Sequence, residues 1–180
     1  MIDFYILGAG ISGSIISNLL NKNYTVEVID KAKGIGGRSS NKKINRRISF
    51  DHGLQYYSPK TFGFKKYLNY LINKKILKRW TGNHLDFSFK NQNNDKIIGL
   101  KGNNDLNKFL LKDIRKNLSQ EIRNIKFINN HWEIHGENSK FKSKCVIITF
   151  PFPQAKKIAK RFLTKSFNKL NVKMLPNITL

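Results

Sequence analysis

The stretch Phe4-Tyr5-Ile6-Leu7-Gly8-Ala9-Gly10-Ile11-Ser12-Gly13 decides the reading of this chain, because an apolar run passes through three closely spaced glycines into a helical pattern. That pattern covers roughly Ser12 to Asn21, with Ile15, Ile16, Leu19 and Leu20 expected against a sheet. A second strand, Thr25 to Ile29, is rich in β-branched residues and ends in Asp30. Glycines between a strand and a helix let backbone approach a pyrophosphate, and the helix N-terminus then faces its charge. Asp30 falls 17 residues after Gly13, near the ~20-residue offset at which an acid accepts the hydroxyls of an adenosine ribose. Gly8, Gly10, Ile11, Ser12, Gly13, Asp30 and Lys31 are the expected dinucleotide contacts. A glycine turn can also serve only to pack a helix on a strand, but strand, helix and acid in register favour the ligand. No Arg adjoins Asp30 to receive a 2′-phosphate, which favours an unphosphorylated ribose, although Lys31 and Lys33 leave the other open.

With 180 residues and 39% hydrophobic composition the chain has room for one domain, or parts of two, around a real core. Its formal charge of +23 attracts polyanions whatever the fold. Only 7 of the 34 basic residues are Arg, and the abundance of Lys, Asn and Ile reflects codon bias more than a chosen partner. The basic runs Lys42-Lys43 with Arg46-Arg47, and Lys156-Lys157 with Lys160-Arg161, lack the interleaved aromatics of a nucleic-acid groove. They read as solvated faces, so no specific nucleic-acid partner is expected. A single cysteine, Cys145, excludes an intramolecular disulfide. No segment approaches the ~20 apolar residues of a membrane span, and Asp3 stands where a signal peptide would be basic. The expectation is a soluble, cytoplasmic protein without a membrane partner.

Further on, Gly36-Gly37-Arg38 can bring backbone and a guanidinium fork onto a phosphate, and Phe50-Asp51-His52-Gly53-Leu54-Gln55-Tyr56-Tyr57 follows. Glycine turn, acid, and Gly-Gly-Arg eight residues after the acid resemble the flavoprotein family of amine oxidases, phytoene desaturases and protoporphyrinogen oxidase. The Asp-x-Gly-x-Gln-Tyr stretch is similar to the renalase-like branch. The resemblance covers nearly the whole chain but about the first half of the family pattern. It implies an α/β fold: a Rossmann-like FAD-binding domain of the glutathione-reductase type with an inserted, incomplete α+β substrate domain. Residues 1–57 and 104–153 would form the FAD-binding parts, and residues 58–103 and 154–180 the substrate-domain segments. FAD is the implied cofactor, with Gly37 and Arg38 on a phosphate or nearby ribose and His52, Gly53, Leu54 and Gln55 near the ring. Ile125 is implied as a further contact, because the equivalent family segment runs past the adenine.

The remaining chain carries packing more than chemistry. Thr61 caps a helix with Phe64, Tyr67, Leu68, Leu71 and Ile72 at the 3.6-residue period. Leu85, Phe87 and Phe89 alternate as in a strand, Asn91 to Asn94 reads as a turn, and Lys96 to Leu100 as another strand. Trp80 reads as packing rather than as a substrate contact. Asp105 caps a helix whose apolar face includes Leu106, Phe109, Leu110, Ile114 and Leu118. Ile122 to Ile128 and Trp132 to His135 form a hairpin around Asn129-Asn130. His131 and His135, four apart on a strand with no third ligand, do not make a metal site. Cys145 to Thr149 reads as a buried strand with Cys145 in the core, ended by Pro151-Phe152-Pro153, and a short helix with Ile158, Ala159 and Phe162 inward follows.

By resemblance, the reaction is hydride transfer to flavin from a reduced small molecule, a reduced nicotinamide or an amine. No side chain stands out as a catalytic acid, base or nucleophile. Family members continue well beyond the point where this chain stops, so the resemblance implies an N-terminal portion. A non-catalytic dinucleotide-binding module that needs a partner chain to complete the fold is the alternative.

Overall fold

The computed structural model describes residues 1–45, 48–82 and 96–175. Its centre is a six-stranded sheet. The chain enters it through β1 (Ile2–Leu7), crosses by α1 (Ile11–Leu20), and returns as β2 (Val26–Ile29) parallel to β1, Phe4 opposite Val26. A small antiparallel pair follows, β3 (Asn41–Lys43) with β4 (Ser49–Asp51). Next come α2 (Phe62–Asn73), β5 (Leu77–Arg79) and β6 (Ile97–Gly99), the last two pairing antiparallel. Thr61 caps α2, its Oγ1 accepting from the Phe64 N–H, as its position predicts.

The chain then rejoins the main sheet. α3 (Asp105–Leu110) leads into β7 (Arg115–Asn117), which lies parallel beside β2. β8 (Ile122–Ile128) and β9 (His131–Gly136) form the expected hairpin, turned by Asn129 and Asn130 at φ 48 and 62. β10 (Lys140–Ile148) starts antiparallel to β9 and ends parallel to β1. The resulting order is β7-β2-β1-β10-β9-β8, a mixed α/β sheet whose four central-to-edge strands run parallel. α4 (Phe152–Ala159) and α5 (Lys165–Lys169) complete the described chain.

Three apolar clusters fill the structure. One face of the sheet packs Ile6, Val26 and Val28 on Leu111 and Ile114, and the other packs Tyr5, Leu7 and Ile29 on Ile122, Ile125, Ile134 and Ala159. A third cluster joins Leu68 and Leu71 of α2 to Leu77, Ile97, Leu106 and Leu110. Among the described residues no helix is long and apolar enough to cross a membrane.

Several expectations need correction. α1 buries Gly13, Ser14 and Ser17, while Ile15 and Leu19 are exposed; small residues let this helix lie close to the strands, and of the four residues expected against the sheet Ile16 and Leu20 join the core. α3 ends at Leu110 and does not continue to Leu118, because Arg115 to Asn117 are drawn into the sheet by pairing with β2. Cys145 is exposed rather than in the core. It sits opposite Phe4 at the rim of the α1-side face, with exposed Lys144 as its neighbour. Phe162 is partly exposed, although its ring meets Trp132 edge-on at 4.8 Å. The expected strand at Leu85 to Phe89 and the turn at Asn91 to Asn94 lie outside the described residues.

Candidate dinucleotide site

The glycine turn is assembled by the ends of three strands. Gly8 N–H donates to Ile29 O of β2, and Thr149 N–H and Oγ1 both donate to Leu7 O, so β2 and the residue after β10 hold the end of β1 on either side. Gly13 must be glycine: a Cβ there would run into Gly8 O and lie 2.9 Å from Thr149 Oγ1. Gly10 is different. Its φ of −74 and ψ of −178 are open to any residue, and nothing lies within 4 Å of where its Cβ would be. Gly10 stands at the N-terminus of α1, which no side chain caps, so the helix begins facing open space.

Asp30 lies where the sequence puts it, just beyond β2, and its carboxylate already has two donors. Oδ2 accepts from Ala9 N–H at 2.6 Å and Oδ1 from Ala32 N–H at 2.8 Å. The acid thus fixes the glycine turn as well as offering its remaining lone pairs. Lys31 beside it is exposed.

The second glycine pair meets the first. Gly36 N–H donates to Ala9 O at 2.9 Å, Gly10 and Gly36 form a parallel bridge, and a Cβ on Gly37 would lie 3.1 Å from Gly10 Cα. Gly36 itself needs its φ of 128 to make that approach. Gly37, Arg38 and Ser39 form a 3₁₀ turn, with Arg38 exposed and no side chain among the described residues pairing with its guanidinium. The 52–55 loop is tied to this turn, since Leu54 N–H donates to Arg38 O at 2.8 Å and Gly53 packs against the same carbonyl. His52 and Gln55 are exposed, and His52 Nε2 lies 3.0 Å from Ser40 Oγ. Gly8, Gly10, Ile11, Ser12, Gly13, Asp30, Gly37, Arg38 and the His52–Gln55 loop are therefore contiguous. Ile125 is not placed with them at the surface: its side chain is 2% exposed, in the core with Leu7 and Ile29.

Sequence reasoning missed what knits these turns together. Asn103, Asn104 and Asn107, at and just before the start of α3, are all buried. Asn103 Nδ2 donates to Leu54 O and Gln55 O, its Oδ1 accepts from Gly99 N–H, and its own N–H donates to Asp51 Oδ1. Tyr57 O–H donates to Asn103 O at 2.7 Å, and burial, aided by the charges of Asp51 and Asp105, pushes that phenol's pKa up. Asn104 Nδ2 donates to Ile35 O. Asn107 joins Ser14, Ser39 and, at 3.5 Å, Ala9 O. A run of three asparagines in five residues opening a helix was the available signal, since Asn is unfavourable inside helices unless its side chain is used. Among the described residues no group of His, Cys, Asp and Glu could hold a metal.

This geometry defines a class, the Rossmann-like α/β fold, and residues 6–71 match the model of the NAD(P)-binding Rossmann-like domain. The wider chain is similar to particular proteins. It is 27% identical over 161 residues to renalase from Mus musculus, a match covering 83% of this chain and 47% of renalase. A redesigned triple mutant of putrescine oxidase superposes with a TM-score of 0.73 at 12% identity, over 93% of this chain and 62% of that one. A candidate protoporphyrinogen oxidase from Exiguobacterium sp. 255-15 superposes at 0.69 and 10% identity, over 93% and 63%. At these identities the superpositions establish the fold alone. The resemblance drawn from the motifs is thus found again, to renalase in sequence and to two oxidases in fold. The chain spans about half the length of the curated relative, 47%.

Proposed function

We propose that this chain binds FAD and forms the nucleotide-binding part of an oxidoreductase that takes a hydride from a reduced small molecule, a reduced nicotinamide or an amine. Gly10 carries the reading. Neither its backbone conformation nor its packing requires glycine, yet it stands at the uncapped start of α1, where a side chain would fill the space a pyrophosphate needs. When bound, the flavin supplies hydride acceptance. The chain's own part is to bind and orient. The Gly10 to Gly13 backbone would face the pyrophosphate, Asp30 would accept from the ribose, exposed Arg38 would pair with a phosphate oxygen, and His52 to Gln55 would border the ring. No side chain of this chain is assigned a proton transfer. Cysteine usage fits a cytoplasmic setting.

A second reading, a dinucleotide-binding module completed by a partner chain, is favoured by one observation. β10 pairs with β9 only over Lys140 to Ser143, and among the described residues no strand lies beside Cys145 to Ile148 on the side away from β1. An open edge of apolar residues is a place where an added strand pairs.

The absorption spectrum of the purified protein tests both readings. A bound yellow chromophore, or saturation by added FAD, supports them, and colourless protein that FAD cannot saturate overturns both. Anaerobic addition of a dihydronicotinamide or an amine then separates them: bleaching of the flavin band identifies the enzyme, and an oxidised band that persists identifies the module.

A further inference from the structure

We infer that Asn107 is a positioning residue of the proposed dinucleotide site, one that fixes the two glycine turns relative to each other without touching the ligand. Its side chain is fully buried, reached from α3, and belongs to neither turn. Nδ2 lies 2.9 Å from Ser14 Oγ and 3.5 Å from Ala9 O; Oδ1 lies 2.8 Å from Ser39 Oγ, which is also 2.8 Å from Gly36 O. Ser14 and Ser39 are themselves buried. A continuous polar chain therefore runs from Gly36 O through Ser39 and Asn107 to Ser14, whose N–H donates to Gly10 O. One end holds the first turn of α1, and the other holds the turn that presents Arg38.

The surroundings argue that this tie is not there for packing. Asn107 is flanked by Leu106, Leu110 and Leu111, all buried, and a leucine, branched at the same atom, would add apolar burial at its position. An amide instead forces three buried polar partners to be matched at once, which is demanding unless the matched geometry itself is used. That geometry is the close approach of Gly37 to Gly10, two touching backbones that together border the proposed phosphate position. A misfit of a few tenths of an ångström there shortens or stretches every amide contact to a phosphate.

The inference rests on the FAD reading, and the test separates the two. FAD affinity is measured by quenching of flavin fluorescence, the visible spectrum of the bound flavin is recorded, and unfolding of the ligand-free protein is followed by urea denaturation. Asn107→Leu leaves Ser14 Oγ without its partner and Ser39 Oγ with Gly36 O alone, so both stability and affinity fall, affinity about tenfold, and the bound spectrum loses its resolved shoulders. The triple variant Asn107→Leu, Ser14→Ala, Ser39→Ala removes both hydroxyls that face the substituted position. It recovers much of the stability, whereas its affinity stays about tenfold weak. If the triple variant regains wild-type affinity and spectrum together with stability, Asn107 is a packing residue and the inference is overturned. Unchanged affinity and spectrum in Asn107→Leu overturn it equally. If Asn107→Leu does not fold, Ser39→Ala alone breaks the chain at one link, and several-fold weaker binding is expected; binding equal to wild type overturns the inference. Wild-type protein that binds no FAD overturns the FAD reading, and this inference with it.

Discussion

At Gly10 and Gly13 the same amino acid has two different reasons to be present. Gly13 is required by the fold, because its Cβ would meet Gly8 O and Thr149 Oγ1. Gly13→Ala should therefore lower stability by about 1–3 kcal/mol through overpacking, read as a lower urea midpoint. Gly10 has open space and an unstrained backbone, so Gly10→Val should leave the circular dichroism spectrum unchanged and lower stability by no more than about 1 kcal/mol, the difference between a glycine and a β-branched residue at a helix N-cap. Arg38 is exposed on a 3₁₀ turn, and Arg38→Ala should weaken FAD binding about tenfold, as loss of a charge-assisted hydrogen bond does, without moving the midpoint. These glycines and this arginine were legible because their spacing is local, within one strand-turn-helix unit and the loop after the next strand. Asn103, Asn104 and Asn107 were not. Their partners lie at sequence separations from 4 to 98 residues, and in a chain rich in asparagine the one local sign, three of them in five residues at a helix start, does not say which backbone groups they reach.

The elements were legible where periodicity alone decides them and misread where a distant strand decides. The β8–β9 hairpin and α2 stand where the pattern puts them, each with its own turn or cap. α3 was read too long, because the pairing of Arg115 to Asn117 with β2 outweighs helix propensity. α3 is short, but Asn103 just before it supports backbone from both the 52–55 loop and the end of β6. Asn103→Leu leaves those groups buried and unmatched. A loss of about 3–5 kcal/mol is expected, checked by denaturation, with amide exchange rising first in the 52–55 loop.

The β9–β10 ribbon carries a pH dependence. Glu133 lies 2.9 Å from Lys140 Nζ and 3.7 Å from Lys142 Nζ, with His135 at 3.2 Å. The Lys140 hydrogen bond, helped by the neighbouring charges, holds its pKa below the ordinary range. A depressed carboxylate stabilises the folded form fully above its unfolded value, ~4.3, and that contribution disappears as pH falls through the lower folded value. Glu133→Gln should therefore show a flatter decline of urea midpoint between about pH 5 and pH 3 than wild type. An identical slope in the two proteins would remove Glu133 from the account.

For the whole molecule, the sheet order and the contiguity of the glycine turns, Asp30, Arg38 and the 52–55 loop make one continuous surface out of segments spread over residues 8–55. Composition foretold none of this, and the high positive charge is a poor guide to it. The sequence motifs picked out the turns that meet in the structure, and the structure added the buried amides that hold these turns in register. The most direct test of the central claim is a titration of purified wild-type protein and Gly10→Val with FAD, followed by quenching of flavin fluorescence. Wild type should bind saturably, one to one, and Gly10→Val should not bind at all, with both proteins folded. No saturation by wild type, or equal binding by the two, would contradict it.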